Sequence, residues 1–195
     1  MFINRRLREL NLKIVYYGPA LSGKTTNLVY IYNHTRPELR GDLISLKTRE
    51  DRTIFFDYLQ LELGQIKGLK PKFNLYTVPG QVYYAASRKL VLQGADGVVF
   101  VADSQTYRMV DNVTSLQDMR GYLRELGIDP WSVPLVVQFN KRDLPDAAGV
   151  STLRSLLRLN RSIPCLESVA TEGAGVFDTL KTIINLVVSS VQKNI

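Results

Sequence analysis

The chain has 195 residues, with 25 Lys and Arg against 18 Asp and Glu, a formal net charge of +7. With 45% apolar and 22% charged residues the composition is globular, which excludes wholesale disorder. At this length one core can be buried without staples, so residues 1–195 read as a single domain. Apolar runs such as Val98–Ala102 are far shorter than the ~20 residues of a membrane helix. There is no signal-peptide pattern, no myristoylation or prenylation sequence, and a single cysteine, Cys165. The expectation is a cytoplasmic protein with no covalent lipid anchor.

The charge is uneven. Residues 1–75 hold 13 Lys and Arg against 7 acids, and residues 76–195 hold 12 against 11. A solvated basic surface is the plain reading, and a face for nucleic acid or anionic lipid is the sharper one. Arg5-Arg6-Leu7-Arg8 is too short to decide, and no aromatic nucleic-acid signature accompanies it, so no nucleic-acid partner is expected.

In chain order, Leu12–Tyr17 is β-rich and ends at Gly18, and Lys24–Tyr32 reads as a helix. Thr53–Leu63 and Lys72–Val78 read as the arms of a hairpin turned at Gly64–Gly68. Gly97–Ala102 and Pro134–Phe139 are nearly all apolar, as strands covered on both faces of a parallel sheet must be. Leu116, Met119, Leu123 and Leu126 have helical spacing. Ile163–Val169 is a further strand candidate, and Val176, Leu180, Ile183 and Val187 mark a closing helix. The order predicts an α/β fold, mostly parallel with one antiparallel edge.

Gly18-Pro19-Ala20-Leu21-Ser22-Gly23-Lys24-Thr25 fits G-x-x-x-x-G-K-[ST] between a strand and a helix. Glycines let backbone N–H groups turn inward around a phosphate, and the helix N-terminus adds positive potential. Gly18, Leu21, Ser22, Gly23, Lys24, Thr25 and Thr26 are therefore candidate nucleotide-binding residues. Lys24 would reach the β- and γ-phosphates, and the Thr25 hydroxyl would ligate Mg²⁺. Asn140-Lys141-Arg142-Asp143 follows the run Pro134–Phe139, at a strand's C-terminal end. An N-K-x-D tetrad there suits guanine. Asp143 would accept from the ring N1–H and the exocyclic amine, a donor pair that adenine lacks. Each such charge-assisted bond is worth about 1.5–3 kcal/mol. The Lys141 stem would lie over the base, and Asn140 would tie this loop to the phosphate loop. Val169-Ala170-Thr171 occupies the place where small GTPases carry a Ser-Ala-Lys-like turn, which would set the Ala170 N–H toward the guanine oxygen with Thr171 beside it.

Thr77-Val78-Pro79-Gly80-Gln81 follows the strand-like Phe73–Tyr76. It matches the small-GTPase pattern Asp-x-x-Gly-Gln with Thr77 in place of Asp, so Mg²⁺ is expected to lose a carboxylate of its outer shell. Gly80 would offer its N–H to the γ-phosphate, and Gln81 would orient the attacking water. Ala20 stands where small GTPases usually carry Gly. Its methyl would crowd that space and slow hydrolysis without preventing binding.

These motifs, with Lys13–Pro19, Thr77–Gln81 and Gly97–Ser104, resemble the MglA family, the bacterial Ras-like GTPases of cell polarity and gliding motility. The resemblance runs nearly the whole chain, and Thr77 is part of it, whereas Ala20 departs from the family's Gly. It implies the Ras-like phosphate-loop fold: a mostly parallel six-stranded sheet with one antiparallel edge strand and helices on both faces. It implies GTP and GDP as ligands, with Mg²⁺. It makes Thr53 a second Mg²⁺ ligand beside Thr25, and Arg52 an arginine finger supplied in cis. From the residues alone, Arg52 is one more surface arginine. The resemblance further implies an MglB-like roadblock-domain homodimer as GTPase-activating protein, concentration at a cell pole through partners, and a strand near Thr53–Leu61 that slides between nucleotide states. The faces of that strand look unsorted in the sequence. Two rivals stay open: a guanine-nucleotide-binding scaffold with very slow or no hydrolysis, favoured by Ala20, and a membrane- or nucleic-acid-surface adaptor, favoured by the basic first 75 residues. His34 and Cys165 carry no case for a metal or a nucleophile.

Overall fold

The computed structural model describes residues 2–47, 53–80 and 84–193, without the side chains of residues 46, 47 and 53–55. Eight strands form one sheet: Phe2–Asn4 (β1), Glu9–Tyr17 (β2), Ile44–Lys47 (β3), Thr53–Glu62 (β4), Lys70–Thr77 (β5), Gly97–Asp103 (β6), Leu135–Asn140 (β7) and Cys165–Glu167 (β8). Their order is β3-β4-β5-β2-β6-β7-β8, with β1 against the start of β2. β2 runs parallel to β5 and β6, β6 to β7, and β7 to β8. The hairpin arm β4 is antiparallel to β5. This is the expected six-strand frame, β2 and β4–β8. Two short antiparallel strands extend it, β1 on β2 and β3 on β4, so β3 rather than β4 is the outer edge. β1 and β3, of three and four residues, carry no usable periodicity, and the sequence does not announce them.

Helices cover both faces. Even-numbered β2 residues Leu10, Leu12, Ile14 and Tyr16 pack with Leu59 and Leu61 of β4 and Leu75 of β5. On this face lie Lys24–His34 (α1), through Leu28 and Ile31, and Val176–Gln192 (α5), through Val176, Leu180, Ile183 and Val187. Val15 and Tyr17 point the other way, toward Val98, Phe100, Val137 and Phe139. Ala85–Leu92 (α2), Met109–Glu125 (α3) and Val150–Leu156 (α4) close that face. Strand β6 is buried at all seven positions, because it is covered on both sides. No helix among the described residues is long and apolar enough to cross a membrane.

One correction concerns β4. From Phe56 to Glu62 its faces do alternate: Asp57, Leu59 and Leu61 are buried, while Tyr58, Gln60 and Glu62 turn outward. Asp57 breaks the apolar pattern of the inner face, which is why the sequence looks unsorted. The five mutually parallel strands, β2, β5, β6, β7 and β8, all end on the same side. The phosphate loop after β2, the Asn140 loop after β7 and the turn after β8 therefore converge there.

Candidate functional site

Residues 18–25 wrap the N-terminus of α1. Gly23 caps the helix at φ 100°, and a Cβ there would lie 2.2 Å from the Asn140 Nδ2, so both backbone and space require glycine. Leu21 holds a left-handed backbone (φ 63°) with its side chain exposed, so what it can offer an anion is its main chain. Lys24 is buried, and its Nζ donates to the carbonyls of Gly18 (3.0 Å) and Pro19 (2.7 Å). Burial pushes its ammonium down to about 7, against the pull of the Asp57 carboxylate. Ser22 is also fully buried, and its hydroxyl has no hydrogen-bond partner among the described residues. A buried lysine and an unused hydroxyl inside a glycine-bounded loop fit an arriving phosphate. Thr26 is half-buried on the first turn of α1.

Beside Lys24, the Thr25 hydroxyl donates to Asp57 Oδ2 (2.5 Å). The Thr77 hydroxyl donates to the same oxygen (2.7 Å) and accepts from the Asp57 N–H (2.8 Å). Ser45 of β3 donates to Asp57 Oδ1. Asp57 is completely buried. The expectation that Thr77 leaves this corner without a carboxylate is thus corrected. The antiparallel β4–β5 register, Tyr58 opposite Tyr76, sets Asp57 beside Thr77. The acid has moved to the neighbouring strand, and Thr77 holds it. Gly80 lies against the phosphate loop: a Cβ on it would be 2.3 Å from the Ala20 Cα.

On the other side, buried Asn140 donates to the Ser22 carbonyl (2.8 Å) and accepts from the Ala170 N–H (2.9 Å). One side chain thus joins three loops. The Ala170 N–H, expected at the guanine oxygen, donates to Asn140 Oδ1 in this structure. Lys141 has a left-handed backbone (φ 65°), and its Nζ meets Asp103 Oδ2 at 2.5 Å. Asp103 is fully buried at the end of β6 and also faces the Arg108 Nε (3.7 Å). Arg108 in turn donates to the Ala20 carbonyl (2.6 Å). A charged chain thus runs from Lys141 through Asp103 and Arg108 to the phosphate loop. Asp143 and Thr171 are exposed, and the Asp143 carboxylate has no partner among the described residues.

A sequence model of the ADP-ribosylation factor family matches residues 1–187. The mutual gliding-motility protein MglA of Myxococcus xanthus is 58% identical over 192 residues, covering 98% of this chain and 98% of that protein. The chain belongs to the ADP-ribosylation factor family, as an MglA-like small GTPase. A more distant relative, the Ras-related protein Rab-32C of Dictyostelium discoideum, is 23% identical over 186 residues, or 94% of this chain and 76% of that protein.

In this MglA-like GTPase the structure brings together Gly18, Leu21, Ser22, Gly23, Lys24, Thr25, Gly80, Asn140, Lys141 and Ala170. Gln81 and Arg52 lie outside the described residues. Thr53 is described only as the first backbone residue of β4. Sequence reasoning missed Asp57, Asp103 and Arg108. Asp57 carried a signal, an acid on the otherwise apolar inner face of the strand-like run Thr53–Leu63, but only the hairpin register turns it into a site residue. The donor set of Thr25 and Asp57 oxygens suits a hard cation such as Mg²⁺. No group of three or more His, Cys, Asp or Glu side chains placed to hold a metal occurs among the described residues.

Proposed function

We propose that this chain is a GTP/GDP switch that hydrolyses GTP to GDP and phosphate with Mg²⁺. We propose that it signals cell polarity or motility through nucleotide-dependent partner binding; the name of its Myxococcus xanthus relative, a gliding-motility protein, supports the motility part. The observation that carries this reading is the Lys24–Thr25–Asp57–Thr77 corner beside a phosphate loop that Asn140 ties to the base-side loop. In this reading Lys24 and the loop N–H groups of Gly18–Thr26 hold phosphate charge. Thr25 and Thr53 hold the cation, with Asp57 orienting Thr25. Asp143, Lys141 and the Ala170–Thr171 turn select guanine. When bound, Mg²⁺ neutralises charge on the β- and γ-phosphate oxygens. Gln81 orients water, Gly80 donates to the γ-phosphate, and Arg52 neutralises charge that develops during transfer.

An MglB-like roadblock-domain homodimer is the proposed GTPase-activating partner, acting by positioning the switch residues. A sliding β4 is compatible with the sorted faces only in steps of two residues, which keep Leu59 and Leu61 inward. Such a step would carry Asp57 away from Thr25, so strand register and metal binding would be coupled. The second reading, a scaffold that binds guanine nucleotides and scarcely hydrolyses, is favoured by Ala20, which packs under Gly80.

Single-turnover GTP hydrolysis with and without the roadblock dimer separates the two. The switch reading expects acceleration by the dimer, and expects Arg52→Ala to remove about 10³–10⁵ of rate with GTP affinity unchanged. Equal, negligible rates with and without the dimer, restored by Ala20→Gly, would establish the scaffold instead.

A further inference from the structure

Six cations gather at the end of the sheet opposite the phosphate loop. Arg5, Arg6 and Arg8 occupy the turn between β1 and β2, Lys67 the turn between β4 and β5, Lys70 the first position of β5, and Lys193 the end of α5. These segments touch. The Lys70 N–H donates to the Arg8 carbonyl (2.7 Å), and the Lys67 Nζ to the Gln192 carbonyl (3.4 Å). All six side chains are exposed. None forms an ion pair among the described residues. Residues 2–8, 63–71 and 192–193 contain no Asp or Glu. The acids that flank them, Glu9 and Glu62, both face Lys72, at 2.8 and 3.5 Å. With a net charge of +7 for the whole chain, this one end holds most of the excess.

A merely solvated face mixes both signs, and this one does not. Its apolar content decides between anionic partners. Leu7 stands between Arg6 and Arg8 with 57% of its surface exposed, and Phe2 is 65% exposed. The turn is pinned by the Leu7 N–H on Asn4 Oδ1 (3.2 Å), so Leu7 is held out rather than folded back. Against nucleic-acid phosphates a protruding leucine gains nothing, and stacking would need a row of aromatic side chains that this end lacks. At a lipid surface the same leucine enters the acyl boundary while the arginines stay at headgroup level.

We propose that this basic end docks reversibly on an anionic lipid surface, with the β1–β2 turn as its apolar tip. The phosphate loop lies at the opposite end of the strands, so docking leaves the nucleotide site facing away from the bilayer and open to partners. The proposal goes beyond the switch reading and does not depend on it.

The test is co-flotation of the full chain with vesicles of phosphatidylglycerol in phosphatidylcholine, against pure phosphatidylcholine. Binding should require the anionic lipid and weaken as salt rises. Each cation near such a surface contributes about fivefold to partitioning. Arg5→Glu, Arg6→Glu and Arg8→Glu together should lower it at least about a hundredfold. Lys67→Glu with Lys70→Glu, from a separate segment, should lower it about 25-fold or more. Leu7→Ser should weaken binding several-fold with the charge unchanged. Nucleotide affinity serves as the fold control, so failure here and failure of the switch reading are distinguishable. Equal binding to neutral vesicles, unchanged flotation of the triple variant, or displacement of the wild type from vesicles by duplex DNA would overturn the proposal.

Discussion

Asp57→Asn should weaken binding of magnesium-bound GDP and GTP by about 10–100-fold, the usual effect of removing a partner that orients a metal ligand. Asparagine has the same shape and still offers one oxygen to the Thr25 and Thr77 hydroxyls. What it lacks is charge. The Thr25 oxygen is then less firmly aimed, and the Lys24 ammonium loses the carboxylate that favours its charged form. The signature is specific: affinity in Mg²⁺ should fall toward the value in chelator, while the nucleotide-free protein stays folded. A second substitution sharpens the result. Since the Thr77 Oγ1 is 2.7 Å from Asp57 Oδ2, Thr77→Asp in the Asp57→Asn background returns a carboxylate to the same corner from β5 and should recover most of the lost affinity. Fluorescent-nucleotide titrations with and without Mg²⁺ measure both effects. An Asp57→Asn protein with unaltered Mg²⁺ dependence would remove Asp57 from the site.

Lys24→Met should cost more, about 10²–10⁴ in nucleotide affinity, from two lost charge-assisted bonds to phosphate at about 1.5–3 kcal/mol each. Its effect on the free protein should be small. Burial has already driven the Lys24 ammonium down to about 7, so near neutral pH the nucleotide-free fold gains little from that charge. Melting temperature and affinity should therefore separate, with the first nearly unchanged and the second collapsed. The same shift sets a pH dependence. Below about pH 7 the free protein already carries the Lys24 proton, and affinity is flat in that group. Above it, binding must take up a proton to charge Lys24 against the phosphates, and affinity should fall by up to about tenfold per pH unit. Calorimetry in buffers of different ionisation heat should detect that uptake at about pH 8 in the wild type and not in Lys24→Met.

The phosphate loop, the Asn140–Asp143 tetrad and the hydrophobic strands β2, β6 and β7 are legible in the sequence, because each is a local pattern: fixed glycine spacing, a tetrad at a strand end, an unbroken apolar run. What stays hidden depends on pairing across distance. Asp57 reads as a flaw in an apolar strand until the β4–β5 register sets it beside Thr77. Asp103 and Arg108 flank the start of α3 and mean nothing until β7 brings Lys141 to them. The short helices α2 and α4 escape because Ala85–Leu92 and Val150–Leu156 span only about two turns, too few for a 3.6-residue period to stand out.

If the proposed function holds, these residues make a magnesium-dependent machine for GTP. The most direct measurement is phosphate release in a single turnover, with protein in excess over GTP or ATP, in Mg²⁺ and in chelator. Release from GTP alone, and only with Mg²⁺, is the predicted result. Equal release from ATP would contradict guanine selection by Asp143, and GTP bound but never cleaved, even with the roadblock dimer present, would contradict the switch itself.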